Sequence, residues 1–264
     1  MSSIFDNLFF GHSPPYITPE SDLLSQKIDI EYDVGEVCLM IFSFNLFKRI
    51  TSSMKLARCE FEWSFNTTNL EVFQLDGLQK RFCVHFPSYG GLRTANSLEQ
   101  LSALGVKKIY AIGLAGGLQE FLEIGDLILL EGSVKGDGIS RYYVPDEFPS
   151  VADFSLISKL KSKLDSVDKK VHIGLSFGTD ALYRESFDLI SYLKQLKVLS
   201  IDLETSSLFS ISRSLGIKAC WIGVISDLLI NELHKGAAHS ENVIEKLFDL
   251  TQHVIDLIKS DELS

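Results

Sequence analysis

The sequence lacks clusters of basic residues. Lys and Arg number 25 against 35 Asp and Glu, which gives a net charge of −10 at pH 7, and no basic cluster exceeds two or three residues. Proteins that bind nucleic acid or an anionic membrane surface present a basic face to it. The charge pattern therefore argues against both partners and leaves open a small neutral or cationic ligand or a protein partner.

The chain also lacks paired cysteines, long apolar runs and a basic N-terminal segment. Its four cysteines are far apart and show no CxxC spacing, so no metal site is predicted. No apolar run is long enough to span a membrane, and the N-terminus does not resemble a signal peptide. We therefore expect a cytoplasmic protein without metal, in which most thiols are small buried groups. The cysteines are Cys38, Cys59, Cys83 and Cys220.

What the chain does have is a regular alternation of strand-like and helix-like segments. Several strands are apolar on both faces, which is typical of a buried and mostly parallel sheet. The pattern predicts an α/β fold, a three-layer α/β/α sandwich with a mixed, largely parallel central sheet, formed by residues 35–264 as a single domain. Residues 1–34, with Pro14, Pro15 and Pro19, are predicted to form an irregular N-terminal arm.

Apolar periodicity and turn residues give the expected bounds of the elements. Strands are predicted at 37–43, 56–65, 70–75, 80–86, 107–114, 126–134, 171–177, 198–201 and, as a central strand, 219–225. Helices are predicted at 45–55, 94–104, 154–164, 187–196 and 204–215, and a last helix follows Ser240 as its N-cap. A turn is predicted at 75–79, in LDGLQ.

Four short segments place polar groups at predicted strand ends, where ligands bind in sheets of this kind. They are PSYGGLRT at 87–94, GLAGG at 113–117, DLETSS at 202–207 and VISD at 224–227. Each has a purely structural explanation. A Gly pair forms a turn, Glu204 suits a helix start, and Asp227 can cap a helix. Their order and spacing together are more specific than any one of them.

These segments, with the run GLAGGLQEFLEIGDLILLEGSVKGDGISRYYVPDEFPSVADF, resemble the nucleoside phosphorylase family and, within it, the uridine phosphorylase branch. The similarity covers about residues 36–258, and FGTDALY, IDLETSSLFSISRSLGIKA and GVISD match later family blocks in order. The resemblance implies the nucleoside phosphorylase fold and a small-molecule nucleoside as ligand, with no cofactor. It also implies a homodimer or higher homo-oligomer with sites near the subunit interface.

The same resemblance indicates that the phosphate-binding residues are lost. Family members bind phosphate through arginines, a Gly amide and a Ser or Thr hydroxyl, and one arginine comes from the neighbouring subunit. A phosphate dianion needs such charge-assisted hydrogen bonds. Arg58 lies one residue from the matching position, and Arg93 could turn inward as a substitute. The residues at the matching positions are apolar or weakly polar: Phe42, Leu46, Cys59, Ala111 and Leu114.

The positions that bind the nucleoside match the family better than the positions that bind phosphate. Leu203 and Glu204 match the family pair at which Glu accepts hydrogen bonds from the ribose hydroxyls, and Asp227 matches the acid that faces the leaving base in the purine branch. Leu182 takes the place of the aromatic residue that stacks on the base, which would admit a bulkier or modified base. The other expected substrate-binding residues are Leu114, Ala115 and Gly116 in the Gly-rich segment, Gly90, Tyr183, Arg184 as the only candidate for reading the base, and His12 from the neighbouring subunit.

Three functions fit this pattern. We expect a nucleosidase, in which water replaces phosphate and cleaves the N-glycosidic bond of a purine or purine-like nucleoside, with Glu204 and Asp227 as catalytic residues. The group that activates the water would be Glu60 or a carboxylate from the neighbouring subunit. The alternatives are a uridine or purine nucleoside phosphorylase with a rearranged phosphate site and a nucleoside-binding pseudoenzyme without turnover.

Overall fold

The computed structural model describes residues 14–61, 63–65, 68–75, 80–230, 233–238 and 240–263. Within these ranges, twelve strands form one mixed sheet. The strands are β1 Val37–Ile41, β2 Ala57–Arg58, β3 Trp63–Phe65, β4 Thr68–Gln74, β5 Arg81–Phe86, β6 Lys108–Gly117, β7 Leu127–Gly136, β8 Ser150–Val151, β9 Val171–Thr179, β10 Ser200–Asp202, β11 Lys218–Ile230 and β12 Leu233–Gly236.

Seven α-helices are present in the same described part of the chain. They are α1 Pro19–Ser25, α2 Phe44–Ser53, α3 Gly91–Ala103, α4 Phe154–Ser166, α5 Phe187–Gln195, α6 Thr205–Ser214 and α7 Glu241–Leu263. Two short 3-10 helices, Ser140–Tyr142 and Leu182–Arg184, follow β7 and β9. None of the helices in the described ranges is long and apolar enough to cross a membrane.

Strand β6 is the centre of the sheet. It pairs in parallel with β1 over its first half and with β11 along its length, and its last two residues pair antiparallel with β10. Because β11 also pairs with β7, β7 with β9, and β9 with β10, these strands close into a ring. Strands β1, β5, β4 and β2 extend the sheet to one side. The carboxyl ends of the parallel strands β6 and β11 therefore meet, and the short antiparallel strand β10 lies beside the end of β6.

Helices cover both faces of this sheet. Helices α2, α4 and α7 pack on one face around a core that includes Tyr110 and Ile222. Helices α3 and α6 pack on the other face around Ala111 and Trp221, and α1 packs against α3. Five strand pairings are parallel, including the two longest, and seven are antiparallel. The predicted α/β fold with three layers and a mixed sheet is confirmed.

Residues 1–34 were expected to be irregular, and this is wrong for Pro19–Ser25, which form α1. The Thr18 side chain accepts a hydrogen bond from the Ser21 backbone N–H, and the Ser21 hydroxyl returns one to the Thr18 backbone. Pro19 at the first helical position favours the start of the helix, and the fully buried Leu23 packs it against the rest of the protein. Pro19 thus marks a helix start, whereas Pro14 and Pro15 lie in an irregular segment as expected. The division into an arm and one domain stays a prediction.

Other strand bounds differ from the expected ones because of the way in which the strands pair. The single strand expected at 56–65 is two short strands, β2 and β3, which both pair with β4. The strand expected at 219–225 continues to Ile230 because a bulge between Ile225 and Asp227 keeps it paired with β6. The strand pairings of β8 and β12 were not predicted. The turn expected at 75–79 falls largely on residues 76–79, outside the described residues.

The turn expected at the Gly pair of GLAGG is also wrong, because Gly116 and Gly117 are the end of strand β6. Glycine is needed there for close approach and not for a turn. A Cβ atom on Gly116 would lie 2.6 Å from Leu229 and 3.0 Å from Asp227, and one on Gly117 would lie 2.8 Å from Leu228. Without side chains, β6 can pack directly against β11 at the edge where the carboxyl ends of the strands meet.

Trp221 fills the space between two other glycines of these strands. It is fully buried, and a Cβ atom on Gly113 would lie 2.9 Å from its indole. A Cβ atom on Gly223 would overlap both the Trp221 ring and the Gly113 carbonyl oxygen.

We therefore expect Gly223→Ala to lower the free energy of unfolding by about 1–3 kcal/mol. Urea unfolding would measure this. Gly138→Ala is the control, since its Cβ would meet nothing closer than 3.7 Å; equal effects of both variants would contradict the packing argument.

Candidate active site

Glu204 lies at the point where β10 leads into α6, as the N-cap residue of that helix. Its side chain is buried, with 5% of its surface exposed. The backbone N–H of Gly90 donates a hydrogen bond of 2.9 Å to Glu204 Oε1. Gly90 has a φ of +86°, a conformation that favours glycine, and it directly precedes α3. Two sequence-predicted site residues are thus joined across two loops.

A second buried carboxyl group, Asp202, holds the backbone around Glu204. Asp202 Oδ1 accepts hydrogen bonds from the backbone N–H groups of Glu204, at 2.8 Å, and Thr205, at 2.7 Å. Asp202 Oδ2 accepts from the hydroxyls of Thr205, at 2.7 Å, and Ser176. Burial raises the pKa of Asp202. Burial and then the nearby Asp202 charge raise the pKa of Glu204 to about 8, so Glu204 holds a proton near neutral pH.

The raised pKa of Glu204 predicts a fall in stability with rising pH. The folded protein keeps this proton up to about pH 8, while the unfolded chain releases it above about pH 4.5, so the free energy of unfolding decreases between these values. His85 acts oppositely below its ordinary pKa of 6.5, because burial lowers its pKa to about 3. The net decrease is therefore expected between about pH 6.5 and 8.

Asp202→Asn tests the cause of this pH dependence. Asn keeps an acceptor for the Glu204 and Thr205 N–H groups but removes the charge that raises the pKa of Glu204. We expect the decrease in the free energy of unfolding between pH 6.5 and 8 to become shallower, measured by urea unfolding at several pH values. Asp188→Asn, on the exposed first turn of α5, should leave the slope unchanged. A wild-type slope in Asp202→Asn would refute the assignment.

Asp227 lies on β11 just after the bulge and is half-buried. It pairs with Gly116 of β6 on one side and with Gly236 of β12 on the other. The Ser226 hydroxyl donates a hydrogen bond of 2.6 Å to Asp227 Oδ1. Asp227 Oδ2 faces Gly116, where a Cβ atom would lie 3.0 Å away. Asp227 lies on β11 and Glu204 follows β10, and both strands pair with the end of β6.

The remaining predicted site residues differ in how deeply they are buried. Leu203 directly precedes Glu204 and is half-buried, as is Leu114 on β6, whereas the Ala115 side chain is buried in the core. Leu182 and Tyr183 lie in the 3-10 helix with 52% and 96% of their surfaces exposed. The side chains expected to contact the base therefore face solvent in this chain. Arg184 is exposed in the same 3-10 helix, and His12 lies outside the described residues.

Asp180 fixes the start of the loop that carries this 3-10 helix. A Cβ atom on Gly91 would lie 2.8 Å from Asp180 Oδ1, and the Gly138 backbone N–H donates a hydrogen bond of 2.7 Å to Asp180 Oδ2. The loop therefore begins beside the first residue of α3, close to Gly90. Sequence reasoning missed both Asp180 and Asp202. The signal for Asp202 was an Asp two residues before a helix N-cap, in DLETSS.

An apolar cavity of about 450 Å³ lies at three of the five predicted phosphate positions. Phe42, Leu46 and Leu114 line it, and no charged side chain is among its described lining residues. Ala111 does not line the cavity. It is fully buried and pairs with Trp221 in the core between β6 and β11. Burying a dianion against such a wall costs free energy that no ionic partner offsets.

None of Arg49, Arg58 and Arg93 is among the described residues that line the cavity. Both terminal nitrogens of Arg49 donate to the Glu245 carboxylate, at 2.7 and 2.9 Å. Arg58 pairs with Glu71. Arg93 lines a separate groove of about 400 Å³ between α1 and α3. Within the described residues, no group of three or more His, Cys, Asp or Glu side chains could hold a metal ion.

Comparisons with known proteins define the family. A family model described as the phosphorylase superfamily matches residues 82–259, and the chain therefore belongs to this superfamily. The match includes Glu204 and Asp227 but begins after the loop with Phe42 and Leu46. The buried carboxyl groups thus lie within the part of the chain that the family model covers, whereas part of the cavity wall does not.

The chain is similar to several phosphorylases. It is 29% identical to a guanosine phosphorylase from Halorubrum lacusprofundi over 61% of this chain and 67% of that protein. It is 31% identical to a uridine phosphorylase from Thermococcus kodakarensis, over 55% and 58% of the two chains. It is 34% identical to a DeoD-type purine nucleoside phosphorylase from Buchnera aphidicola, over 51% and 57%. The aligned segments span about three fifths of these relatives.

Proposed function

We propose that this chain is an enzyme that binds a nucleoside and cleaves its N-glycosidic bond. The observation that carries the proposal is Glu204, a buried carboxyl group held by Gly90 within the segment matched by the superfamily model. When ionised, this carboxylate can accept hydrogen bonds from two ribose hydroxyls. Asp227 would face the leaving base and supply the proton or hydrogen bond that makes it a better leaving group.

Water is the nucleophile in our proposal, and phosphate is the second candidate. The comparisons favour phosphate, because all three relatives described above are named phosphorylases. The apolar cavity favours water, because the positions that the family resemblance assigns to phosphate ligands carry Phe42, Leu46 and Leu114. The proposal of hydrolysis thus rests on the chemistry of the cavity wall and not on the relatives. A neutral water molecule needs no cationic site.

The group that activates the water would come from a neighbouring subunit. The exposed Glu60 follows edge strand β2, which is four strands from β6 in the sheet order. At about 4.8 Å per strand it lies roughly 19 Å from its own site. No carboxylate is among the described residues that line the cavity. Glu60 or another carboxylate of a second copy is therefore the proposed base.

The proposed substrate class is a purine or purine-like nucleoside. Asp227 supports this choice, since the family resemblance assigns an acid at this position to the purine branch. Two of the relatives are a guanosine phosphorylase and a purine nucleoside phosphorylase, although another is a uridine phosphorylase. The exposed Leu182 would leave room for a modified base.

Release of free base from a panel of purine and pyrimidine nucleosides, with and without phosphate, tests the proposal. We expect release of a purine at the same rate in both conditions. Release that requires phosphate would establish the phosphorylase instead. Binding without any release would establish a nucleoside-binding protein without turnover, and neither binding nor release would overturn the proposed function.

We also expect the active form to be a homodimer or a higher homo-oligomer with sites near the subunit interface. The reason is that Glu60, the proposed base, follows edge strand β2 roughly 19 Å from its own site, so a second copy has to supply it. Light scattering at micromolar concentration would measure the mass. A monomer of 29.5 kDa that cleaves nucleosides would contradict this expectation.

A further inference from the structure

The apolar cavity beside the candidate active site has the size of a ligand pocket. Its volume of about 450 Å³ falls in the range of about 300–1,000 Å³ found for small-molecule sites. Four separate elements wall it, so it is a concave pocket and not a flat face suited to a protein partner. Its wall includes Phe44 and Leu46 of α2, Tyr89 before α3, Leu114 of β6, and Val243 and Leu247 of α7.

The polar side chains on the described wall are uncharged: Ser43, Asn45 and Tyr89. Ser43 is already used, because its hydroxyl oxygen accepts a hydrogen bond of 3.4 Å from the Leu46 backbone N–H and caps α2. A charged ligand group would lose its hydration here without gaining an ionic partner. An apolar group has no such penalty, so the wall selects for uncharged, apolar chemistry.

Aromatic rings form one side of the cavity and leave apolar surface open to water. Phe86 contacts Phe44, with ring centroids 5.3 Å apart, and Tyr89 edge-on, at 5.7 Å. Phe44 and Tyr89 nevertheless have 39% and 55% of their surfaces exposed. Lys48 lies over the Phe44 ring, 5.1 Å from its centroid. A ligand group that covers these rings would remove apolar area from water, which favours binding.

The segments that wall the cavity are continuous with those that hold the two carboxyl groups. Tyr89 is followed by Gly90, whose N–H binds Glu204. Leu114 belongs to the strand end that faces Asp227. A molecule bound between Glu204 and Asp227 therefore lies next to the cavity, and a substituent on it can enter.

We infer that the nucleoside ligand of this protein carries an apolar group, aliphatic or aromatic, which fills the cavity lined by Phe44, Tyr89 and Leu114. The inference rests on the proposed function and adds to it a substrate class: nucleosides with an uncharged apolar substituent, in preference to plain nucleosides and to nucleotides. It also explains why an enzyme of this superfamily has apolar residues where the family resemblance implies phosphate ligands.

Calorimetry with a matched ligand series tests the inference. The probes are adenosine, guanosine and inosine, and derivatives of each with a butyl or benzyl group on the base, on the 2′ oxygen or on the 5′ position. We expect at least one position of attachment to give about a 10-fold or larger gain in affinity over the parent nucleoside. The corresponding 5′-monophosphates should show no gain. If no derivative binds more tightly than its parent, the inference is wrong.

Two variants test whether the gain in affinity arises from the cavity. Phe44→Asp places a carboxylate on the cavity wall, at the first turn of α2, where a negative charge is favourable for the helix. It should abolish the gain while leaving the affinity for the parent nucleoside within about 2-fold. Leu92→Asp is the matched control, because Leu92 is an exposed apolar residue in the first turn of α3 and does not line the cavity. A gain that survives Phe44→Asp would place the apolar group elsewhere.

A third measurement separates failure of the inference from failure of the proposed function. Thermal unfolding with cyclohexanol, benzyl alcohol or inorganic phosphate, each without nucleoside, probes the cavity alone. We expect stabilisation by the two alcohols that Phe44→Asp removes and Leu92→Asp retains, and none by phosphate. If no nucleoside binds but the alcohols do, the proposed function fails and the apolar cavity stands. If nucleosides bind and are cleaved but the alcohols have no effect and the derivatives gain nothing, the inference alone fails.

Discussion

Asp227→Asn is expected to reduce nucleoside cleavage by about 100- to 10,000-fold, the usual contribution of a positioned general acid. Asn has nearly the shape of Asp and can still accept the hydrogen bond from the Ser226 hydroxyl, so the strand and its bulge should persist. What is lost is the acidic proton for the leaving base. The affinity for the nucleoside should change much less than the rate of cleavage.

Steady-state kinetics with the best nucleoside from the panel would measure the effect of Asp227→Asn. Asp188→Asn, on the exposed first turn of α5, is the matched control and should retain full activity. A loss smaller than about 10-fold would mean that Asp227 does not protonate the base. The residue would then be a structural part of the pairing between β11, β6 and β12.

Glu204→Gln is expected to weaken nucleoside binding by roughly 1–3 kcal/mol, or about 5- to 150-fold. The Gln amide donates hydrogen bonds where the carboxylate accepts them from ribose hydroxyls, so one hydroxyl loses its partner. Gln can still accept the hydrogen bond from the Gly90 N–H, which keeps the loop in place. The effect should be largest above about pH 8, where the wild-type carboxyl group is ionised.

Calorimetry at pH 8.5 would measure this loss of affinity. Glu20→Gln is a suitable control, since Glu20 is an exposed carboxylate in the first turn of α1. If Glu204 only served its helix as a favourable charge, the substitution would cost less than about 1 kcal/mol of stability and leave the affinity unchanged. Equal affinity of wild type and Glu204→Gln would therefore assign Glu204 to the fold and not to the ligand.

The sequence predicts the long periodic elements of this fold well. The apolar stripe of α7 and the apolar runs of β6, β7 and β9 depend on local spacing, so their existence and order agree with the structure. The pairings that close the ring of strands do not follow from spacing, because they depend on tertiary contacts between segments far apart in the chain. The Gly-rich segment was misjudged for the same reason. Gly116 is glycine because a larger residue would clash with Asp227 and Leu229, which lie far away in the sequence.

The candidate site was only partly predictable. Glu204 and Asp227 were singled out because ligands bind at strand ends in α/β sheets and because the family resemblance gives both a role, and these roles stay predictions. The role of Asp202 could not, because it depends on partners such as Ser176 that lie elsewhere in the sequence. The apolar character of Phe42, Leu46 and Leu114 was visible in the sequence, but the fact that they line one cavity required the structure.

The most direct test of the central claim follows an oxygen atom. The protein would cleave its best nucleoside in ¹⁸O-labelled water with inorganic phosphate present, and the sugar product would be examined by mass spectrometry. If the apolar wall around Leu114 excludes phosphate, as we propose, the product is free ribose that carries one ¹⁸O at C1 in the earliest time points. Ribose 1-phosphate without the label would show that phosphate is the nucleophile and would contradict the account.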